Sequence, residues 1–185
     1  MSLATGVGWW SVSTWIPQYA AQSAANAGQP SQYWASLTGL TYNTGSIAGY
    51  LVPGWLADTF GRKPTILFYY LGALALSFCF FLLVHDRHAL LLMAAANGFF
   101  TSGQYAWMTV YLPELFPTRV RASAMCLVFD GSRTIAAFGP LLAGWLITSF
   151  GGIASAAEVM SLVYIVGLAV TPFAGPETKG NPLPA

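Results

Sequence analysis

Six apolar runs, each about 20 residues long or a little longer, follow one another along this chain with only short polar breaks between them. They fall near residues 3–25, 34–57, 65–84, 89–112, 122–148 and 153–174. A helix of about 20 residues crosses a hydrocarbon core of roughly 30 Å. Lipid cannot satisfy open backbone groups, and none of the runs alternates like a barrel strand, so each is expected to be helical. The expectation is an all-α membrane protein. It is a single bundle of six transmembrane helices with a tail over residues 175–185.

Composition agrees. The chain is 56% hydrophobic and 7% charged, against roughly 25% charged in soluble domains, so its expected partner is a lipid bilayer. A net charge of +1 excludes nucleic acid, which requires a concentrated basic field. Cys79 and Cys126 lie inside apolar runs and read as buried free thiols. No phosphate cradle, nucleophile elbow or catalytic carboxylate pair occurs, so no enzyme activity and no cofactor are expected. His85-Asp86-Arg87-His88 offers two imidazoles without a clear third ligand, so no metal is expected.

Assigning the breaks alternately to two sides gives one side Arg62, Lys63, Arg119, Arg121 and Lys179, and the other only Arg87. The positive-inside rule places the first side, and with it both termini, in the cytoplasm. The membrane is then the plasma (inner) membrane. Trp9, Trp10, Trp34 and Trp55 fall near run ends, where indoles favour the interface. Gly45, Gly49, Gly54, Gly98, Gly103, Gly139 and Gly144 are expected to let helix backbones approach closely. Pro53 and Pro140 are expected to bend the runs that contain them.

Leu51, Gly54, Trp55, Leu56, Phe60 and Gly61 recur 90 positions later as Leu141, Gly144, Trp145, Leu146, Phe150 and Gly151. By the alternating assignment the two stretches end on opposite sides. An inverted three-plus-three repeat produces this pattern. The competing explanation is that apolar helices often end in Gly-rich turns.

Gly54-Trp-Leu-Ala-Asp58-Thr-Phe-Gly61-Arg62-Lys63-Pro64 joins runs two and three. Gly61 suits the chain reversal, and Asp58 is placed to accept from free amides at a helix start. The segment resembles the G-x-L-x-D-x-x-G-R-[KR] loop of the major facilitator superfamily. Pro113-Glu114-Leu-Phe-Pro117-Thr-Arg119-Val-Arg121 resembles the P-E-x-x-P-x-x-x-R segment of its sugar-porter and metabolite-symporter branch. Gly175-Pro176-Glu177-Thr178-Lys179-Gly180 resembles the P-E-T-K-G signature that ends sugar porters. The resemblance covers essentially the whole chain and implies helices seven to twelve of a twelve-helix transporter. It gives Gly54, Asp58, Gly61, Arg62, Glu114, Arg121 and Glu177 gating roles. It also implies a partner, either an N-terminal six-helix half or a second copy of this chain.

Asp130 and Arg133 lie within the fifth run, three residues apart, and are expected to neutralise each other across one helix face. Ionisable groups at such depth mark functional positions by default. A transport role and an internal brace both fit. Trp15 and Gln18 in run one, Asn43 in run two, and Gln104, Tyr105 and Trp107 in run four are further candidates to line a solute cavity. The expected function is alternating-access transport of a small polar solute of the sugar or organic-acid class, with protons as the candidate coupling ion. The alternative is a truncated, non-transporting membrane protein with a structural or interaction role.

Overall fold

The computed structural model describes residues 1–84 and 86–184, and the side chains of all of these but Pro140 and Leu141. His85 of the His-Asp-Arg-His segment lies outside the described residues. Among the described residues no group of three metal-ligating side chains forms.

The chain is all-helical. Helix α1 runs Ser2–Asn26, α2 Ser31–Phe60 and α3 Arg62–Phe78, continued by a π turn over Cys79–Leu83. Then come α4 (Arg87–Gly103), α5 (Ala106–Val110), α6 (Leu112–Leu115), α7 (Thr118–Ala136), α8 (Gly139–Phe150), α9 (Ile153–Ser161) and α10 (Val163–Val170), ending in a 3₁₀ turn over Thr171–Phe173.

The last three apolar runs are not single rods. Run four breaks at Gln104–Tyr105 and again at Tyr111. Run five breaks at Ala137–Phe138, and Pro140, which has no N–H to donate to the helix ladder, falls in the first turn of the helix that follows. Run six breaks at Leu162, where its amide turns to the carbonyl of Val159 at 3.2 Å. Pro53, by contrast, sits inside the unbroken α2.

Among the described residues two helical stretches, Arg62–Leu83 and Ile153–Phe173, are each long and apolar enough to cross a bilayer. Helices α1 and α2 are longer but carry more Ser, Thr, Tyr, Asn and Gly. Much of that polar content is satisfied within the bundle. Trp9 donates to Ser102 at 3.1 Å, Ser102 to Ser46 at 2.8 Å, and Ser46 to the Tyr42 carbonyl at 3.0 Å. Trp9 is thereby tied into the bundle. A second chain runs from the Trp107 indole to Thr5 (3.0 Å), on to Tyr70 (2.6 Å), and from Tyr70 to the Met1 carbonyl (3.1 Å).

Helix α2 packs most intimately on α4, and α1 lies at the centre, against α2, α4, α7, α9 and α10. A Cβ at Gly45 would overlap the Ala95 carbonyl, one at Gly49 the Phe99 carbonyl, and one at Gly98 the Tyr42 carbonyl. Those glycines meet the expectation of close approach. Gly54, Gly139 and Gly144 do not, since nothing lies within 4 Å of the Cβ each would carry. Helix α7 is the least enclosed of the long helices, with only Ser132 and Ala136 buried. Cys126 on this helix is exposed, not buried as its apolar run suggests, and Cys79 is half-buried.

Both matching stretches end on a glycine with positive φ, though with different ψ. Helix α2 stops at Phe60 with Gly61 at φ +106, and α8 stops at Phe150 with Gly151 at φ +77. Side chains rarely adopt this region, so glycine follows Phe at both helix ends. Trp55 and Trp145 are 65% and 63% exposed, so both indoles point outward.

Candidate functional site

Three segments far apart in sequence meet at one end of the bundle. Only Gly61 separates α2 from α3, so Arg62 opens α3 beside the end of α2. Its guanidinium engages Glu114 of α6 in two directions, Nη2 to Oε1 at 2.7 Å and Nε to Oε2 at 3.0 Å. Nη1 reaches Asp58 at 2.9 Å and the Ala57 carbonyl at 3.0 Å. The Arg62 and Glu114 side chains are 11% and 14% exposed, while Asp58 is 73% exposed. The Arg62–Glu114 pair is therefore the strong one, because bidentate charge-assisted bonds gain where water is excluded. The exposed Asp58 pair adds little.

The tail closes the knot. The Glu177 carboxylate accepts from the backbone amides of Arg62 (2.8 Å) and Lys63 (2.9 Å) at the start of α3. A negative group at a helix N-terminus satisfies otherwise free amides and meets the favourable end of the helix dipole. Thr178 donates to Glu114. Lys179 Nζ donates to the Thr59 carbonyl at 2.7 Å, and Lys63 Nζ to the Pro172 carbonyl at 2.8 Å. The Tyr111 hydroxyl lies 2.8 and 2.7 Å from the carbonyl oxygens of Ala174 and Pro176.

One expected contact is reassigned. The acceptor of free amides at a helix start is Glu177, not Asp58, because Asp58 is still in the last turn of α2 and faces its own i+4 neighbour Arg62. Among the described residues Arg121 joins no carboxylate. It grips the carbonyls of Pro113 (2.9 Å), Phe116 (3.1 Å) and Pro184 (2.9 Å), fixing the α6–α7 connection to the tail.

Arg62 holds the Glu114 carboxyl below its usual range, overcoming the upward push of burial, with help from Thr178. Burial pushes Glu177 up, but the four backbone amides from Arg62, Lys63, Lys179 and Thr178 outweigh it and hold it low as well. A carboxyl depressed in the folded state stabilises at pH values above its unfolded pKa, and that contribution is lost as pH falls through the folded value. The knot is thus expected to be whole at neutral pH and to loosen below about 4.5. The protection factors of the Arg62, Lys63 and Thr178 amides against hydrogen exchange, taken relative to the intrinsic rate at each pH, should fall on acidification. Glu177→Gln should lower them already at neutral pH.

A second feature is a cleft of about 520 Å³ between α1 and the α7–α8 segment. Trp10, Trp15, Ser11, Thr14 and Gln18 line it from α1; Arg133, Ala136, Ala143 and Ile147 line it from the opposite side. Of the residues proposed from sequence to line a cavity, Trp15, Gln18 and Arg133 meet here. The others go elsewhere. Gln104 and Trp107 are buried, bonded to Thr101 and Thr5 respectively. Asn43 is exposed and donates to the Gly39 carbonyl of its own helix at 2.7 Å. Tyr105 packs between the Trp9 and Phe129 rings.

Asp130 and Arg133 do not neutralise each other. The Asp130 carboxylate accepts from the Cys126 thiol at 3.1 Å, and the Arg133 guanidinium stands 5.6 Å from the Phe129 ring centre. Three-residue spacing puts the two on neighbouring rows of α7, but each side chain turns to the partner one turn earlier. Ser11, Thr14 and Trp10 were absent from the sequence-derived set. Their i, i+3, i+4 spacing with Trp15 and Gln18 is the signal for one shared face of α1.

The bundle thus carries an ion-paired knot at one end and a cleft beside α7. The family model of the Major Facilitator Superfamily matches residues 1–184. The proline/betaine transporter of Escherichia coli strain K12 is 29% identical over 187 residues, covering 98% of this chain and 36% of its own length. The glycine betaine/proline/ectoine/pipecolic acid transporter of Dickeya dadantii is 30% identical, covering 98% of this chain and 36% of its own length. The niacin transporter of Acinetobacter baylyi is 24% identical, with 95% and 38% covered. The chain belongs to the Major Facilitator Superfamily. It spans 36% to 38% of the length of these relatives.

Proposed function

We propose that this chain is the six-helix carboxy-terminal half of a secondary transporter that moves a small polar solute by alternating access. In this reading the six apolar runs each cross the plasma (inner) membrane and both termini are cytoplasmic. The halves α1–α3 and α4–α10 are related as an inverted three-plus-three repeat, supported by the positive-φ glycines, Gly61 and Gly151, that follow Phe60 and Phe150 at the ends of α2 and α8. The partner is a second six-helix unit, an N-terminal half or another copy, seated on the face that leaves α7 uncovered.

The observation that carries the proposal is the knot. Arg62, Glu114 and Glu177 come from three separate segments, yet all meet at one end through bonds that a small helix shift would break together. Such a contact serves as a latch between two states. Its members are Asp58, Gly61, Arg62, Glu114 and Glu177, with Arg121 as a brace. The cleft at Trp15, Gln18 and Arg133 is the solute site, within the size range of small-ligand pockets. Sugars, organic acids and small zwitterions of the kind named for the relatives, proline and betaine, all fit its volume.

Counterflow tests the proposal. Membrane vesicles containing the protein should exchange a labelled solute from one of these classes across a closed membrane. No exchange with any sugar, organic acid or zwitterion tried would contradict it. Proton coupling through Asp130 is the finer part of the reading. Asp130→Asn should then remove stimulation by a pH gradient while counterflow persists. Unaltered stimulation would remove Asp130 from the coupling path.

A further inference from the structure

We infer that the cleft takes a small monocarboxylate, with the carboxylate on Arg133 and the apolar body against Trp10 and Trp15. The inference rests on the cleft being the solute site. Among the described residues lining the cleft, Arg133 is the only ionisable one. Its guanidinium has no carboxylate partner, since among the described residues the ion pairs are those of Arg62. The nearest acid along the helix, Asp130, is turned to Cys126.

Arg133 is exposed on α7, and at membrane depth its charge is costly unless something neutralises it. A solute carboxylate would do so with two parallel N–H···O bonds, the geometry for which guanidinium is shaped. One guanidinium matches one negative charge. A second carboxylate would find no counter-charge among the described residues of the cleft, so dianions are disfavoured.

The remaining wall is mostly apolar. Two indoles offer flat faces for a ring or an aliphatic body, and Ser11, Thr14 and Gln18 supply the few polar groups. A sugar would bring a hydroxyl on nearly every carbon, more than these three side chains can satisfy, and buried unpaired hydroxyls lower affinity. The volume of about 520 Å³ fits a single-ring acid with room for water.

The test compares isosteres on the wild-type protein in detergent or vesicles. Benzoate and cyclohexanecarboxylate are set against benzamide, phthalate and glucose, with indole fluorescence as the binding readout. The two acids should bind, and the amide, the diacid and the hexose should bind at least tenfold more weakly. Arg133→Gln should lose at least tenfold in benzoate affinity while its benzamide affinity stays unchanged, which separates charge loss from misfolding. Arg133→Lys should recover part of the benzoate affinity. Equal binding of benzoate and benzamide, tight binding of glucose, or no binding of either acid would overturn the inference. Benzoate binding without any counterflow would instead count against transport and leave the monocarboxylate assignment standing.

Discussion

Arg62→Ala is expected to unfasten three segments at once and to lower the stability of the bundle by about 2–3 kcal/mol, the scale of charge-assisted bonds to a largely buried partner. The substitution strips Glu114, 14% exposed, of both guanidinium bonds and leaves its charge with only Thr178. It also removes the bonds to Asp58 and the Ala57 carbonyl. The expected readings are a thermal midpoint several degrees lower in detergent and faster proteolysis of the tail after Gly175. Glu114→Gln should cost less, because an amide still accepts one bond. Exchanging the charges, Arg62→Glu with Glu114→Arg, should recover part of the loss. The double-mutant cycle would then show a coupling of at least about 1 kcal/mol. Strict additivity would mean that the pair is incidental. In vesicles the single Arg62 variants should impair counterflow more than they impair folding, since a latch biases two states rather than building either.

The larger structural effect is expected at the α2–α4 contact. Gly45→Leu and Gly98→Leu put carbon where the carbonyls of Ala95 and Tyr42 already stand. Backbone cannot step aside as a side chain can, so the two helices must separate along their length. Overpacking of this kind costs from about 1 to 3 kcal/mol even where side chains yield, and here more. Little folded protein should be recovered, and even Gly45→Ala should lower the yield. Gly54→Ala is the matched control in the same helix: nothing lies within 4 Å of its Cβ, and the change should be neutral or slightly stabilising. Equal yields for Gly45→Leu and Gly54→Ala in membranes would contradict the close approach of α2 and α4.

Length and hydropathy made the helical character legible, because a long apolar run bounded by Gly and Pro has little choice but helix. The motif around Arg62 made the family legible as well. Helix interruptions were less so. The break at Gln104–Tyr105 arises where Gly103 is pressed against Tyr69 and the Gly49 carbonyl, a tertiary contact with no local signature. Asp130 and Arg133 show the limit of spacing arguments, since three-residue proximity permits a pair but Cys126 and Phe129 compete one turn earlier. Glu177 was marked by its motif, yet its seat on the α3 amides depends on a fold that brings residues 62 and 177 together. Gln104 and Trp107 look like cavity residues in a helix pattern, but the bundle buries them and satisfies the Trp107 indole on Thr5.

Side-selective thiol labelling most directly tests the membrane arrangement on which all of this depends. Cys79 and Cys126 are first replaced, and single cysteines are then placed at Thr118 and Asn181 beside the knot and at Gln29 and Arg87 in the loops assigned to the other side. An impermeant maleimide added to intact cells should label Gln29→Cys and Arg87→Cys but not Thr118→Cys or Asn181→Cys, and inside-out vesicles should give the reverse. Labelling of all four from one side would contradict the account.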